Sequence, residues 1–172
     1  NTLRWRNLRK ITVAQVHGPV YAAGLMLMWA CDLIVASREA RFGLPEVRRG
    51  LVATSGGLFR APRALPVHVA KELLLTGEPI DAERAERLGL VNRVVEPGDA
   101  LLGALELAEL VARNSPVAVR ETLAAVESMS DAEDTQGWES TAKARGVIES
   151  SEDAREGVRA FFERRDPKWP GR

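Results

Sequence analysis

Strong metal ligands and disulfide partners are scarce in this 172-residue chain, which has one cysteine, Cys31, and two histidines, His17 and His68. A single cysteine excludes an internal disulfide framework and a cysteine-rich zinc site. Two histidines with no nucleophile at a diagnostic spacing support neither a histidine-rich metal centre nor a serine triad. No sign of charge is in excess, because 24 basic and 24 acidic side chains give a formal net charge of +0. The general electrostatic attraction to nucleic acid or to an anionic membrane is therefore missing, and neither partner is expected. Long apolar runs are missing too. The most hydrophobic stretch, Val20 to Cys31, stops at Asp32, short of the roughly 20 residues that span a bilayer. The first residues alternate basic and apolar side chains and contain no secretory h-region. A soluble protein of a reducing compartment, the cytoplasm, is the expectation. Methionine is absent from position 1, and Asn1-Thr2-Leu3-Arg4-Trp5-Arg6 reads like the interior of a protein.

What is present is globular composition, with 45% hydrophobic and 28% charged residues, enough for one domain or one domain with a helical extension. Ile11 to Val16 is rich in β-branched residues and ends at His17-Gly18-Pro19, so it reads as a strand followed by a turn. Leu25 to Cys31 reads as a buried helix, Leu33 to Ala36 as a buried strand, and Ala40 to Gly43 as a further strand. This succession predicts α/β architecture. Residues 45–57 read as a loop. Helices are expected over 58–65 and 67–76, stopped by Gly77, and over 81–88, with Asp81 as N-cap and Gly89 beyond its end. Val91 to Val95 completes the α/β part. From residue 96 onward the pattern is helical throughout: one helix around Leu101 to Val111, one from Ser115-Pro116 to about Val126, one over 131–149 and one from Ser150/Ser151. Residues 1–95 and 96–172 thus form two regions.

Two places could carry chemistry. The segment from Gly18 to Gly24 feeds a strand through small residues into a helix start, where free backbone N–H groups favour negative charge. Ala23 and Gly24 leave room for a ligand near the backbone, although tight helix–sheet packing needs the same small residues. Glu46 follows Pro45 directly after an apolar strand. Facing an apolar cavity, its carboxylate would gain proton affinity and suit acid–base work; facing solvent, it would be an ordinary loop residue. Asp32, between apolar segments, reads as a structural carboxylate. Arg145, Arg155, Arg159, Arg164 and Arg165 read mostly as a solvated face paired with Glu152, Glu156 and Glu163, and Phe161, Phe162 and Trp169 as core or subunit interface.

An ordered series of segments resembles the crotonase, or enoyl-CoA hydratase/isomerase, superfamily. It runs through Val13-Ala14-Gln15-Val16-His17-Gly18, Ala30-Cys31-Asp32-Leu33-Ile34-Val35-Ala36-Ser37 and Ala40-Arg41-Phe42-Gly43-Leu44-Pro45-Glu46. It continues through Gly56-Gly57, Leu75-Thr76-Gly77-Glu78-Pro79-Ile80-Asp81-Ala82, Gly89-Leu90-Val91-Asn92 and the stretch from Glu156-Gly157 to Trp169.

The resemblance implies a spiral ββα core, of which residues 1–95 are the second half. It also implies that 96–172 are an all-helical oligomerisation region that builds trimers, often paired into hexamers. It implies an acyl-CoA thioester as substrate and no separate cofactor or metal. The Ala23 N–H, with Ala22 and Gly24 beside it, takes the place of an oxyanion-hole donor for the thioester enolate. A second donor would lie on a loop some tens of residues before Asn1, so that the chain would be about two thirds of a full protein.

Hydratases of the family typically use two glutamates. Glu46 occupies one of these positions and Met26 the other. A single carboxylate suits a proton shift between carbons, as in Δ3,Δ2-enoyl-CoA isomerisation, more readily than hydration. Hydratase, isomerase and a non-catalytic acyl-CoA-binding homologue all stay open. Thr54 and Ser55 match the loop lining the acyl pocket, and Phe161 and Arg164 match positions that close over the CoA.

Overall fold

The computed structural model describes Trp5, Leu8 and residues 10–171, with the side chains of 128–133 and 136 excepted. Two small sheets grow side by side. Strand β1 (Val13–Val16) lies in the first sheet and β2 (Pro19–Tyr21) in the second. Between them the backbone turns at Gly18, whose φ of 65 suits a residue without a side chain. Helix α1 (Ala23–Met28) then carries the chain back to β3 (Leu33–Ser37) in the first sheet, and β4 (Arg41–Gly43) follows in the second. Both β1–β3 and β2–β4 are parallel. Parallel neighbours require a crossover, and here one crossover serves two sheets, so each turn adds a strand to both. This is the spiral ββα arrangement expected from the sequence.

A 3-10 helix (Pro45–Arg49), α2 (Gly57–Ala64) and α3 (Val67–Thr76) make up the next return. The short β5 (Ile80–Asp81) pairs antiparallel with β4. Helix α4 (Ala82–Arg87) starts at Asp81, whose side chain accepts from the Arg84 N–H as expected of an N-cap. Strand β6 (Arg93–Val95) closes the first sheet beside β3, giving the order β1-β3-β6. β3 is the middle strand, and Ile34 to Ser37 are buried accordingly. The main core gathers Leu25, Met26, Phe42, Leu44 and Leu73, each under 2% exposed.

Helix α5 (Ala100–Ala112) lies on the first sheet, where Gly103 sits against Val35 and Val95. Helix α6 runs unbroken from Pro116 to Ser150, and α7 (Glu152–Glu163) follows after Ser151. The sequence reading divided α6 into two helices. No proline or glycine falls between 117 and 136, and Gly137 costs only about 1 kcal/mol in a helix interior, so nothing ends it. It spans roughly 50 Å and touches the core through α2, where Phe59 and Trp138 meet edge to face at 5.1 Å.

Four more readings need adjusting. Pro19–Tyr21, taken as turn and helix approach, is strand, and so is the two-residue β5; both are too short to show a period. Residues 45–49 form a 3-10 turn because Pro45 presets its start and Gly50 caps it in the left-handed region. Glu156, read as part of a solvated face, is 3% exposed. Among the described residues, no helix is long and apolar enough to cross a membrane.

Candidate active site

The last pair in register between β2 and β4 is Tyr21 with Gly43, and the Ala22 N–H continues the ladder by donating to the Gly43 carbonyl at 3.1 Å. The small-residue turn and the Leu44–Glu46 segment therefore leave the same carboxyl end of two adjacent parallel strands, where α/β proteins commonly assemble sites. Ala22 has φ 52 and ψ −121, a conformation that favours glycine. That strain pivots the chain from strand into α1, whose first internal bond runs from the Met26 N–H to the Ala22 carbonyl. Among the described residues, none accepts from the Ala23 or Gly24 N–H. Both residues are exposed.

Glu46 is the second position of the 3-10 helix, and its carbonyl accepts from the Leu51 N–H at 3.1 Å. Its side chain lines a cavity of about 420 Å³ whose other walls are Leu44, Val47, Val52, Ala53, Leu58, Lys71, Leu74 and Leu75. The Oε2 atom is fully shielded and has no hydrogen-bond partner. Burial pushes this carboxyl above its ordinary range, offset in part by a hydrogen bond from its own backbone. An unpaired carboxylate oxygen in an apolar wall is costly. Among the described residues, Glu46 is the only acidic one in that wall.

The other candidates sit around this pair of segments. Met26 is 1% exposed, and its thioether lies beside Gly57. Thr54 and Ser55 precede α2; Ser55 is exposed with φ 55, the Thr54 carbonyl accepts from the Gly57 N–H, and neither lines the Glu46 cavity. Phe161 is on α7, and its ring stacks under the Arg49 guanidinium at 5.0 Å, one turn along from Glu46. Arg164 caps α7 in the left-handed region and is exposed.

The sequence reading missed Lys71, Leu74 and Leu75. Their i, i+3, i+4 spacing on α3 was the available signal, since it sets three side chains on one face. Asp32 is structural: its Oδ2 accepts from the Thr12 N–H at 2.6 Å and from the Thr12 hydroxyl at 2.8 Å. His17 and His68 are exposed. Among the described residues, no group of His, Cys, Asp or Glu could hold a metal ion. A second cavity, of about 330 Å³, lies where α1, α2 and α6 approach, and there Asp134 pairs with Arg60 and Arg63.

The sequence model of one family, enoyl-CoA hydratase/isomerase, matches residues 1–172. The chain belongs to the enoyl-CoA hydratase/isomerase family. Among its relatives is a carnitinyl-CoA dehydratase of Citrobacter koseri, 38% identical over 170 residues, which cover 96% of this chain and 65% of that protein. The structure of a carnitinyl-CoA dehydratase from Mycobacterium avium 104 superposes with a TM-score of 0.90 at 44% identity, covering 95% of this chain and 65% of the other. That of an enoyl-CoA hydratase from Mycobacterium tuberculosis H37Rv gives 0.70 at 44% identity, again covering 95% and 65%. The chain thus spans just under two thirds of the length of these relatives. The fold described above is the crotonase fold of this family.

Proposed function

We propose that this protein is an acyl-CoA-processing enzyme of the hydratase/isomerase type. In this reading the Ala23 N–H, with Gly24 beside it, stabilises the enolate oxygen of a thioester, and Glu46 is the acid–base. The observation that carries the proposal is the half-buried Glu46 carboxylate, whose shielded Oε2 has no partner, at the end of the strand next to the one that presents the Ala23 and Gly24 N–H groups. Donors at a developing oxyanion act only as charge appears, which makes them effective catalysts. A carboxylate with raised proton affinity can take a proton from carbon and return it near neutral pH.

Within that class, a one-carboxylate site favours isomerisation. Glu46 removes a proton from Cα of a 3-enoyl thioester to give the dienolate, and the same proton is delivered to Cγ as the thioester carbonyl re-forms, which leaves the double bond between Cα and Cβ, in conjugation. Hydration would need a second group to activate water, and Met26 supplies none. Names among the relatives suggest a second reading, dehydration of a carnitinyl thioester. The cavity wall carries the cationic Lys71 and no aromatic ring, which suits a neutral aliphatic acyl group better than a quaternary ammonium.

Separate incubation with a 3-enoyl-CoA, crotonyl-CoA and a carnitinyl-CoA tests the choice. The expected result is turnover of the 3-enoyl-CoA, lost in Glu46→Gln. Hydration of crotonyl-CoA without isomerisation would overturn the one-carboxylate argument. Micromolar binding without any turnover would leave a non-catalytic acyl-CoA-binding protein. The proposed assembly is a homotrimer or a hexamer, to which exposed Phe161 and Phe162 on α7 would contribute; sedimentation analysis measures it.

A further inference from the structure

The 3-10 helix that carries Glu46 is gripped from two sides. On one, Arg48 donates from Nε to the Thr76 carbonyl at 3.2 Å and pairs with Glu78, tying the helix to the end of α3. On the other lies α7, and there the approach is backbone to backbone. A Cβ on Gly157 would fall 2.1 Å from the Arg49 carbonyl oxygen, and one on Gly50 would fall 2.4 Å from the Asp153 carbonyl oxygen. Neither contact can yield by rotating a side chain, so α7 fixes the depth of the 3-10 helix through the absence of side chains. One turn beyond Gly157, Phe161 stacks on Arg49 at 5.0 Å.

Glu156 holds the chain after α7 in place. Its buried carboxylate accepts from Arg165 Nη1 at 2.6 Å and Nη2 at 3.1 Å, from Arg159 Nε at 3.1 Å and from the Lys168 N–H at 2.7 Å. These bonds fold the tail back, Asp153 Oδ1 accepts from the Gly171 N–H at 2.7 Å, and the Trp169 ring closes on Gly50.

We propose that Glu156 and Gly157 are positioning residues for Glu46, holding the 3-10 helix at the depth where its carboxylate faces the apolar cavity. The inference rests on the acid–base reading of Glu46. Neither residue lines that cavity, so both act through the Arg49–Gly50 backbone. Among the described residues, Lys71 of α3 is the only other charged one in the cavity wall. Arg48 and Arg49 belong to the 3-10 helix itself, and Asp153, Glu156, Arg159, Arg165 and Lys168 belong to the clamp that meets it at Arg49–Gly50.

The test is the titration of the Glu46 side-chain carboxyl in the full chain, followed by carbon NMR and assigned by its loss in Glu46→Gln. Gly157→Ala and Glu156→Gln are expected to remove at least half of the native upward displacement, bringing Glu46 toward the ordinary value of about 4.3. Val91→Ala, a core truncation outside the clamp, should lower Tm and leave the Glu46 titration where it was. An unmoved titration in both clamp variants, with folding intact by circular dichroism, would overturn the proposal. So would an equal shift in Val91→Ala. If Gly157→Ala does not fold, Glu156→Gln decides alone. The readout needs no turnover, so a native protein that fails to convert any enoyl-CoA would count against the acid–base reading while the titration still judged the positioning.

Discussion

Glu46 and Glu156 stand on opposite sides of one backbone contact, and their carboxylates have opposite surroundings. Glu46 reaches into aliphatic side chains and leaves Oε2 without a donor, so burial raises its proton affinity. Glu156 is more deeply buried as a residue, yet it is ringed by two arginines and a backbone N–H. The hydrogen bonds from Arg165, the Lys168 backbone and Arg159, in that order of weight, hold its carboxyl far below the usual carboxylate range. Burial alone therefore does not set a carboxylate's character; the count of donors does. The first site leaves a carboxylate oxygen unsatisfied at a cost in stability, and the second uses the same chemical group as a fastener.

The difference should break most visibly under substitution by glutamine. Glu46→Gln is expected to lower enoyl-CoA isomerisation by ~10²–10⁴-fold with no loss of Tm, because it neutralises a half-buried carboxylate whose Oε2 has no partner. Glu156→Gln should do the reverse in thermal melts, lowering Tm by roughly 5–10 °C, since it leaves Arg159 and Arg165 facing a neutral amide. A Tm unaffected by Glu156→Gln would dissolve the contrast.

Acid sharpens the comparison further, because the two groups bias stability with opposite slopes. The depressed Glu156 contributes stability that is complete above the unfolded value of about 4.3 and is lost as pH falls below it. The raised Glu46 works the other way: its burden is absent below about 4.3 and grows as pH rises through its higher folded value. Melting curves of Glu156→Gln should therefore converge on the native ones at low pH, and those of Glu46→Gln should diverge from them as pH rises above the unfolded value of about 4.3. The smallest effect separates the two arginines. Arg159 is 65% exposed at its side chain and Arg165 34%, so Arg159→Met should move Tm by only about 1 °C and Arg165→Met by several times that.

Much of this pair of sites was legible beforehand, and unevenly. The Pro45-Glu46 step after an apolar strand marked a carboxylate that could face a cavity but read more readily as an ordinary loop residue, and the small residues through Gly24 marked a strand-to-helix pivot, because both signals are local. The spacing of Lys71 and Leu74 put them on one face of α3 but did not say what that face covers, since they line the Glu46 cavity only after α3 folds back over it. Glu156 looked like surface for a related reason. Arginines at three and nine residues further on read as solvated pairing partners, and only the return of the tail at Arg164 encloses them around it. The division of α6 failed on weak punctuation, and β2 and β5 failed on length. Ladder bonds with distant strands, and not local propensity, make those short segments strands.

The sheet order also sets a timetable. Ile34 donates to the Asn92 side chain across 58 residues of chain, and β3 meets β6 over a similar separation, so the first sheet cannot close until residue 95 is available. Helix α6 needs only neighbours four residues away and can form in about a microsecond or less. The slow step of folding should thus be the docking of β6 against β3. A stopped-flow series with Val94→Ala would register it as slowed refolding with little change in the unfolding limb.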